Sequence, residues 1–289
     1  MIMSEKILVV GATGTVGRPL VAELVKGGAA VRAASRDPGR ARGVLPDATE
    51  IVPFDLERPA TFDDALQGVD RVFLMARPGD EHADRLAFPL IGAMERHGVR
   101  HVVDLSALGA EARPSFALRK VEQRLEASPM AFTHLRPNFF MQLFTGGSLL
   151  AAVRACAIRV PAAYAKVSWI DARDVAAAAA AVLAADRVHA GKAYTLTGPQ
   201  ALNHAEVAAV IEQACGRAVR YEAIAEEEAR CVLSQAGFPA PWVERLIGFY
   251  RLVRDEAAAP VSSAVQDLLG RPARTFSAFA IEHATMWRA

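Results

Sequence analysis

Short apolar runs alternate with longer helical stretches along the chain as far as about Gly198. The β-like runs fall at 6–10, 30–35, 50–55, 71–75, 101–105, 132–135 and 192–197. Between the first two, Leu20, Val21, Leu24 and Val25 recur at helical spacing, and Gly27-Gly28 stops the helix. Further helices are expected at 61–66, 86–97, 116–127 and 175–184. Asp37 precedes Pro38, an N-cap followed by proline at the first helical position. This alternation predicts βαβ units around a parallel sheet.

Beyond Gly198-Pro199 the pattern changes. Asn203 and Glu206 have the spacing of a capping box at the start of a helix reaching Cys215. A strand at 219–224 follows, then helices at 226–236, 241–255, 262–269 and 276–287. Strand signals are few in this part.

The first β-like run feeds directly into Gly11-Ala12-Thr13-Gly14-Thr15-Val16-Gly17 and then the first helix. In that strand–turn–helix context the spacing is a dinucleotide fingerprint. Gly11 permits the tight turn, Gly14 lets backbone approach a diphosphate, and Gly17 allows close packing of the helix. The unpaired N–H groups of the helix start would hold the anion. These signals predict an α/β fold: a Rossmann-like, doubly wound parallel sheet over residues 1–198, with a smaller, mostly helical C-terminal lobe over 199–289 on the substrate side.

The choice between dinucleotides is made after the second strand, where an acid favours a ribose hydroxyl and an arginine a 2′-phosphate. Here the strand ends Ser35-Arg36. Arg36 can grip a phosphate with two N–H groups and Ser35 can add a hydroxyl, so NADP(H) is favoured over NAD(H). A solvated surface role for Arg36 stays open.

Composition narrows the classes. Lys plus Arg number 33 against 32 Asp plus Glu, a net charge of +1, which argues against a nucleic-acid surface. The longest apolar run, 175–185, is too short to span a bilayer, and a strand-like run close behind Met1 leaves no room for a signal peptide. Three scattered cysteines without Cys-x-x-Cys fit a reducing compartment, so the cytoplasm is expected. None of the seven histidines has metal-ligand spacing with another ligand, and no metal is expected. A small-molecule substrate and a monomer or homodimer complete the expectation.

Several stretches carry a family likeness. The Gly-Ala-Thr-Gly-x-x-Gly loop, Asp70-Arg71-Val72-Phe73-Leu74, Gly98-Val99-Arg100-His101-Val102-Val103 and Leu135-Arg136-Pro137-Asn138-Phe139-Phe140-Met141 resemble the NmrA-like atypical short-chain dehydrogenase/reductases. So do Trp169-Ile170-Asp171-Ala172-Arg173-Asp174-Val175, Tyr194-Thr195-Leu196-Thr197-Gly198-Pro199 and Asp267-Leu268-Leu269-Gly270-Arg271-Pro272. The resemblance is nearest the NAD(P)H-dependent branch of triphenylmethane, quinone and ergot-alkaloid reductases. It implies that Gly11, Thr13, Gly14, Thr15, Val16 and Gly17 line the diphosphate, that Arg36 meets the adenosine phosphate, and that Asp55 meets the adenine edge. Met75, Ala76 and Arg77 would flank the riboses, with Ser106 at the nicotinamide. Pro137, Asn138, Phe139 and Phe140 would form the loop over the nicotinamide, close to substrate.

Ordinary short-chain dehydrogenases carry Tyr-x-x-x-Lys. None of the four tyrosines, Tyr164, Tyr194, Tyr221 and Tyr250, has lysine four residues later. Leu118 aligns with the usual lysine, and Lys120, two residues on, points about 200° away on a helix and reads as solvated beside Glu122 and Glu126. A site without a placed acid suits an electron-poor acceptor such as a quinone, an iminium ion or a cationic aromatic. Ser106 and Asn138 are then the candidate catalytic residues, with Asp104 either beside them or satisfying backbone donors. Trp242, Leu246, Phe249, Tyr250 and Val253 share one face of the 241–255 helix. Two readings stay open: that face packs the lobe on the sheet, or Trp242, Phe249 and Tyr250 line a flat pocket with Phe139, Phe140 and Met141. At the level of function the alternative is a non-catalytic regulator that senses dinucleotide redox state.

Overall fold

The structure is a computed structural model that describes residues 5–76, 80–147, 149–185 and 187–288. Arg77 lies outside the described residues. In chain order the elements are β1 (Lys6–Val9), α1 (Gly17–Lys26), β2 (Ala30–Ser35), α2 (Pro38–Arg42), β3 (Glu50–Pro53), α3 (Phe62–Leu66), β4 (Arg71–Leu74), α4 (Ala83–Arg96), β5 (His101–Leu105), α5 (Ala117–Glu126) and β6 (Ala131–Pro137). There follow α6 (Leu150–Arg154), β7 (Ala157–Val160), α7 (Ala172–Ala184), β8 (Lys192–Leu196), α8 (His204–Cys215), β9 (Arg220–Ala223), α9 (Glu226–Gln235), α10 (Ala240–Arg254), α11 (Ala264–Leu269) and α12 (Phe276–His283).

The chain forms two compact units. The first takes the described residues to Pro137, then Ala172–Leu196 and Ala264–Arg271. Its sheet has the order β3-β2-β1-β4-β5-β6-β8, parallel throughout. Such a sheet is buried on both faces, which is why its strands read as near-continuous apolar runs. On one face Leu8, Val72, Leu74 and Val102 pack with Phe62, Leu90, Ile91, Met94, Val121 and Leu125 from α3, α4 and α5. Strand order reverses between β1 and β4, the switch point at which such folds bind ligands beyond the strand ends.

The second unit comprises Asn138–Asp171, Thr197–Ser263 and the described residues from Pro272 onward. It holds the β7–β9 pair and helices α6, α8, α9, α10 and α12. The capping box forms as the spacing predicts: Asn203 Oδ1 accepts from Glu206 N, and Glu206 Oε2 accepts from Asn203 N.

The observed units are interleaved, whereas the expected division near Gly198 is linear. After β6 the chain leaves the first unit, builds part of the second, and returns as α7. Later, α11 rejoins the first unit, where Arg271 meets the buried Asp174 carboxylate at 2.8 Å. Periodicity reveals elements but not their partners. The β7 strand was not expected at all, so β8 occupies the place of the predicted seventh strand. Cys156, in the left-handed region at φ 61°, turns the short α6 into β7, whose pairing partner β9 lies some 60 residues later. Among the described residues no helix is long and apolar enough to cross a membrane, and Cys156, Cys215 and Cys231 are free.

Candidate active site

The glycine loop sits at the switch point of the first unit. Gly11 has φ +73°, and a Cβ there would come within 2.2 Å of Met75 Cε, so the thioether beyond β4 lies directly against the turn. At Gly17 a Cβ would stand 2.1 Å from the Gly11 carbonyl oxygen. Its bareness thus serves the loop's own backbone, a closer constraint than helix-on-sheet packing. Gly14 N donates to Gly11 O at 2.9 Å, closing the turn. No side chain caps α1 and no acid stands in its first turn, so its opening amides could hold a diphosphate. Thr13, Thr15 and Val16 belong to this loop, and Ala76 is buried just past β4.

Beyond β2, Arg36 is exposed with no partner side chain among the described residues. Asp37 is occupied as the N-cap of α2, accepting from Arg40 N at 3.0 Å. The Ser35 hydroxyl donates to Asp37 O and accepts from Asp37 N, so it shapes this turn. Asp55 Oδ1 accepts from Glu57 N, leaving the carboxylate in a tight turn with part of its surface open.

Past β5, the Ser106 amide donates to Leu135 O at 2.8 Å while its hydroxyl is buried without a fully formed hydrogen bond. Around it lies a charge cluster that the sequence analysis did not assemble. Glu122 is buried completely and accepts from Arg136 Nε and Nη2 at 2.8 and 2.9 Å and from Arg119 Nη1 at 2.8 Å. Despite burial, these guanidiniums and the neighbouring Ser106 hold its carboxyl at about 2. In the next register pair, His134 Nδ1 lies 3.3 Å from Asp104 Oδ2. Burial pushes the Asp104 carboxyl above its ordinary value, against the pull of His134. Lys120, expected as a solvated lysine, is half-exposed and pairs with Asp84 at 3.4 Å. A sequence signal existed. Asp104 with Ser106 and His134 with Arg136 are two apart on their strands, and Arg119, Glu122 and Glu126 share one helix face.

In the second unit, Asn138 uses its whole amide. Nδ2 donates to Ser168 Oγ at 2.7 Å and Ala258 O at 2.8 Å, and Oδ1 accepts from Phe139 N. It clamps the segment that follows Pro137. Phe139 meets Phe249 edge-on at 6.0 Å and Trp169 at 6.1 Å, while Phe140 bridges to Ile170 and Met141 is core. Tyr250 packs on His204, 6.0 Å between rings, and Trp242 stacks separately on Phe238 at 4.3 Å. Along α10 the buried line is Val243, Ile247, Tyr250 and Val253, one step round from the predicted face. Val243 and Ile247 pack with Ile224 and Ala229. Phe139, Phe249 and Tyr250 thus join one aromatic group with Trp169 and His204, which does not include Trp242.

A parallel sheet reversing beside a glycine loop defines the class: Rossmann-like NAD(P)-binding proteins. The NmrA-like family matches residues 3–279, and the chain belongs to that family. It is 37% identical to an NAD(P)H azoreductase of Xenophilus azovorans over 98% of this chain and 99% of that protein. It is 36% identical to the (4-alkanoyl-5-oxo-2,5-dihydrofuran-3-yl)methyl phosphate reductase of Streptomyces griseus, over 96% and 98% of the two chains. Among solved structures, Citrobacter triphenylmethane reductase superposes with a TM-score of 0.86 at 24% identity, covering 96% and 99% of the chains, and so shares the fold.

Proposed function

We propose that this protein is an NADPH-dependent oxidoreductase that transfers hydride to an electron-poor conjugated small molecule of quinone, iminium or cationic aromatic type. The glycine turn at the sheet's switch point carries the reading, since it folds tightly enough to exclude side chains and leads straight into the uncapped start of α1. Full-length similarity to an NAD(P)H azoreductase and a furanone phosphate reductase supports it. Both names describe reduction of conjugated unsaturated systems.

In this reading Gly11, Thr13, Gly14, Thr15, Val16 and Gly17 line the diphosphate, and Arg36, without a partner side chain among the described residues, meets the 2′-phosphate. Asp55 faces the adenine, Met75 and Ala76 flank the riboses, and Ser106 borders the nicotinamide. The bound cofactor supplies the hydride. Asn138 holds the chain that carries Phe139, and Phe139, Phe140 and Phe249 offer flat apolar surface to a planar acceptor, with the buried Tyr250 behind them on His204. The protein acts in the cytoplasm as a monomer or homodimer.

The test is NADPH oxidation with a quinone, a triarylmethane dye, an azo dye and a cyclic iminium salt. Turnover of at least one class is expected. Tight dinucleotide binding with no turnover of any would leave the non-catalytic regulator in its place.

A further inference from the structure

Strand alternation, carried one residue past the end of β5, puts Ser106 on the same side as Asp104, and register sets His134 of β6 beside Asp104. Helix α5 covers this face with Arg119, Glu122 and Glu126, while Arg136 of β6 and Glu111 of the preceding turn close it, paired at 3.1 Å. From the surface inward the groups form a row. The Glu126 carboxylate, one-third exposed, lies 3.5 Å from His134 Nε2, within ion-pair reach but off hydrogen-bond geometry. His134 Nδ1 meets Asp104 Oδ2 at 3.3 Å. Asp104 Oδ1 is buried with no hydrogen-bond partner, and the buried Ser106 Oγ has only the neighbouring Glu122 carboxylate, short of full hydrogen-bond geometry. Two residues along a strand span about 6.6 Å, a gap that one bridging water can join. Buried polar atoms without partners call for such an explanation. Glu122 stands apart from the row: its oxygens are held by two guanidiniums, so it stays ionised and serves as fixed charge.

We propose that Glu126, His134 and Asp104 form a proton path to Ser106, which delivers the proton that completes reduction of an uncharged acceptor. The proposal rests on the reductase reading. Hydride from the reduced dinucleotide brings two electrons to a quinone and leaves an oxyanion. The Ser106 O–H bond then breaks toward that oxygen as a new O–H bond forms on the product. Ser106 is reprotonated from the Asp104 carboxyl, Asp104 from His134, and His134 from solvent at Glu126. The net change is quinone, reduced dinucleotide and one proton from water giving hydroquinone and oxidised dinucleotide. A triarylmethane cation becomes neutral on taking hydride and needs no proton. Asp104 and His134 act through Ser106 and are positioning and relay residues. Burial, which pushes the Asp104 carboxyl above its ordinary value, agrees with a stored proton.

The experiment compares wild type, Asp104→Asn and His134→Gln with NADPH and both acceptors. In each variant the quinone rate should fall at least tenfold more than the dye rate. The wild-type quinone reaction should carry a solvent deuterium isotope effect and slow as pH rises, while the dye reaction shows neither. In protein without dinucleotide, the infrared difference between wild type and Asp104→Asn at neutral pH should contain a protonated-carboxyl band. Equal slowing of both acceptors in folded His134→Gln, or absence of that band, overturns the path. Wild-type protein that reduces neither acceptor overturns the reductase reading and the path with it, an outcome distinct from those two.

Discussion

His134 in the first unit and His204 in the second are both almost wholly buried, at 1% and 0% exposure, in opposite surroundings. His134 stands among Asp104, Glu122 and Glu126, with Arg119 and Arg136 behind them. His204 is enclosed by Trp169, Tyr221 and Tyr250, and neither ring nitrogen has a partner. Burial alone pushes it down to about 4. The first unit keeps charge inside by pairing it, at the risk that losing one partner strands the others. Around His204 the second keeps charge out and holds its imidazole neutral. A group meant to move protons belongs in the first setting, and one meant to pack belongs in the second.

The comparison breaks most sharply at Glu122. Replacing it with alanine leaves Arg136 and Arg119 without their buried carboxylate, and a loss of about 3–5 kcal/mol in urea unfolding is expected. A loss under 1 kcal/mol would mean that the cluster is not tightly coupled. Next is Gly17→Ala, which forces a Cβ onto the Gly11 carbonyl. Up to about 3 kcal/mol of stability should go, and dinucleotide affinity should drop at least tenfold by calorimetry.

The aromatic side is tested by acid. A histidine held at about 4 against 6.5 unfolded contributes stability above pH 6.5 that is lost as pH falls toward 4, because the unfolded chain takes up the proton first. His101, lowered to about 4 chiefly by burial, acts in the same direction. Between pH 7 and 5, His204 should account for about 2 kcal/mol of lost stability. The stability–pH slope over that range should flatten in His204→Phe, and an unchanged slope would refute the unpaired, neutral histidine. The smallest effect is at Arg36. Its alanine variant should lose about tenfold in NADPH preference, near 1.4 kcal/mol, in paired NADPH and NADH titrations.

Much of the fold was readable from residues a few places apart. Gly11, Asp37 with Pro38, and Asn203 with Glu206 act on their own turns, so their roles survive in any packing compatible with those turns. Strands β2 and β5 fall where their apolar runs lie, since both faces of a parallel sheet are covered. The face of α10 was misread by one step because its apolar residues wrap too far round for periodicity to choose the buried line. Strand β7 escaped notice because four residues beside an alanine-rich stretch have little meaning without β9.

The sequence alone determined the alternating α/β plan, the glycine turn beyond β1 and the absence of Tyr-x-x-x-Lys, since each depends on residue type at short spacing. Only the tertiary structure decided the rest. It interleaved the two units, brought Phe139 to Phe249, and placed Glu122 at the centre of a buried cluster. The physical reason is that a side chain's charge and burial depend on what packs against it. For Asp104, Glu122 and His134 those neighbours come from three separate elements, and no local pattern brings them together.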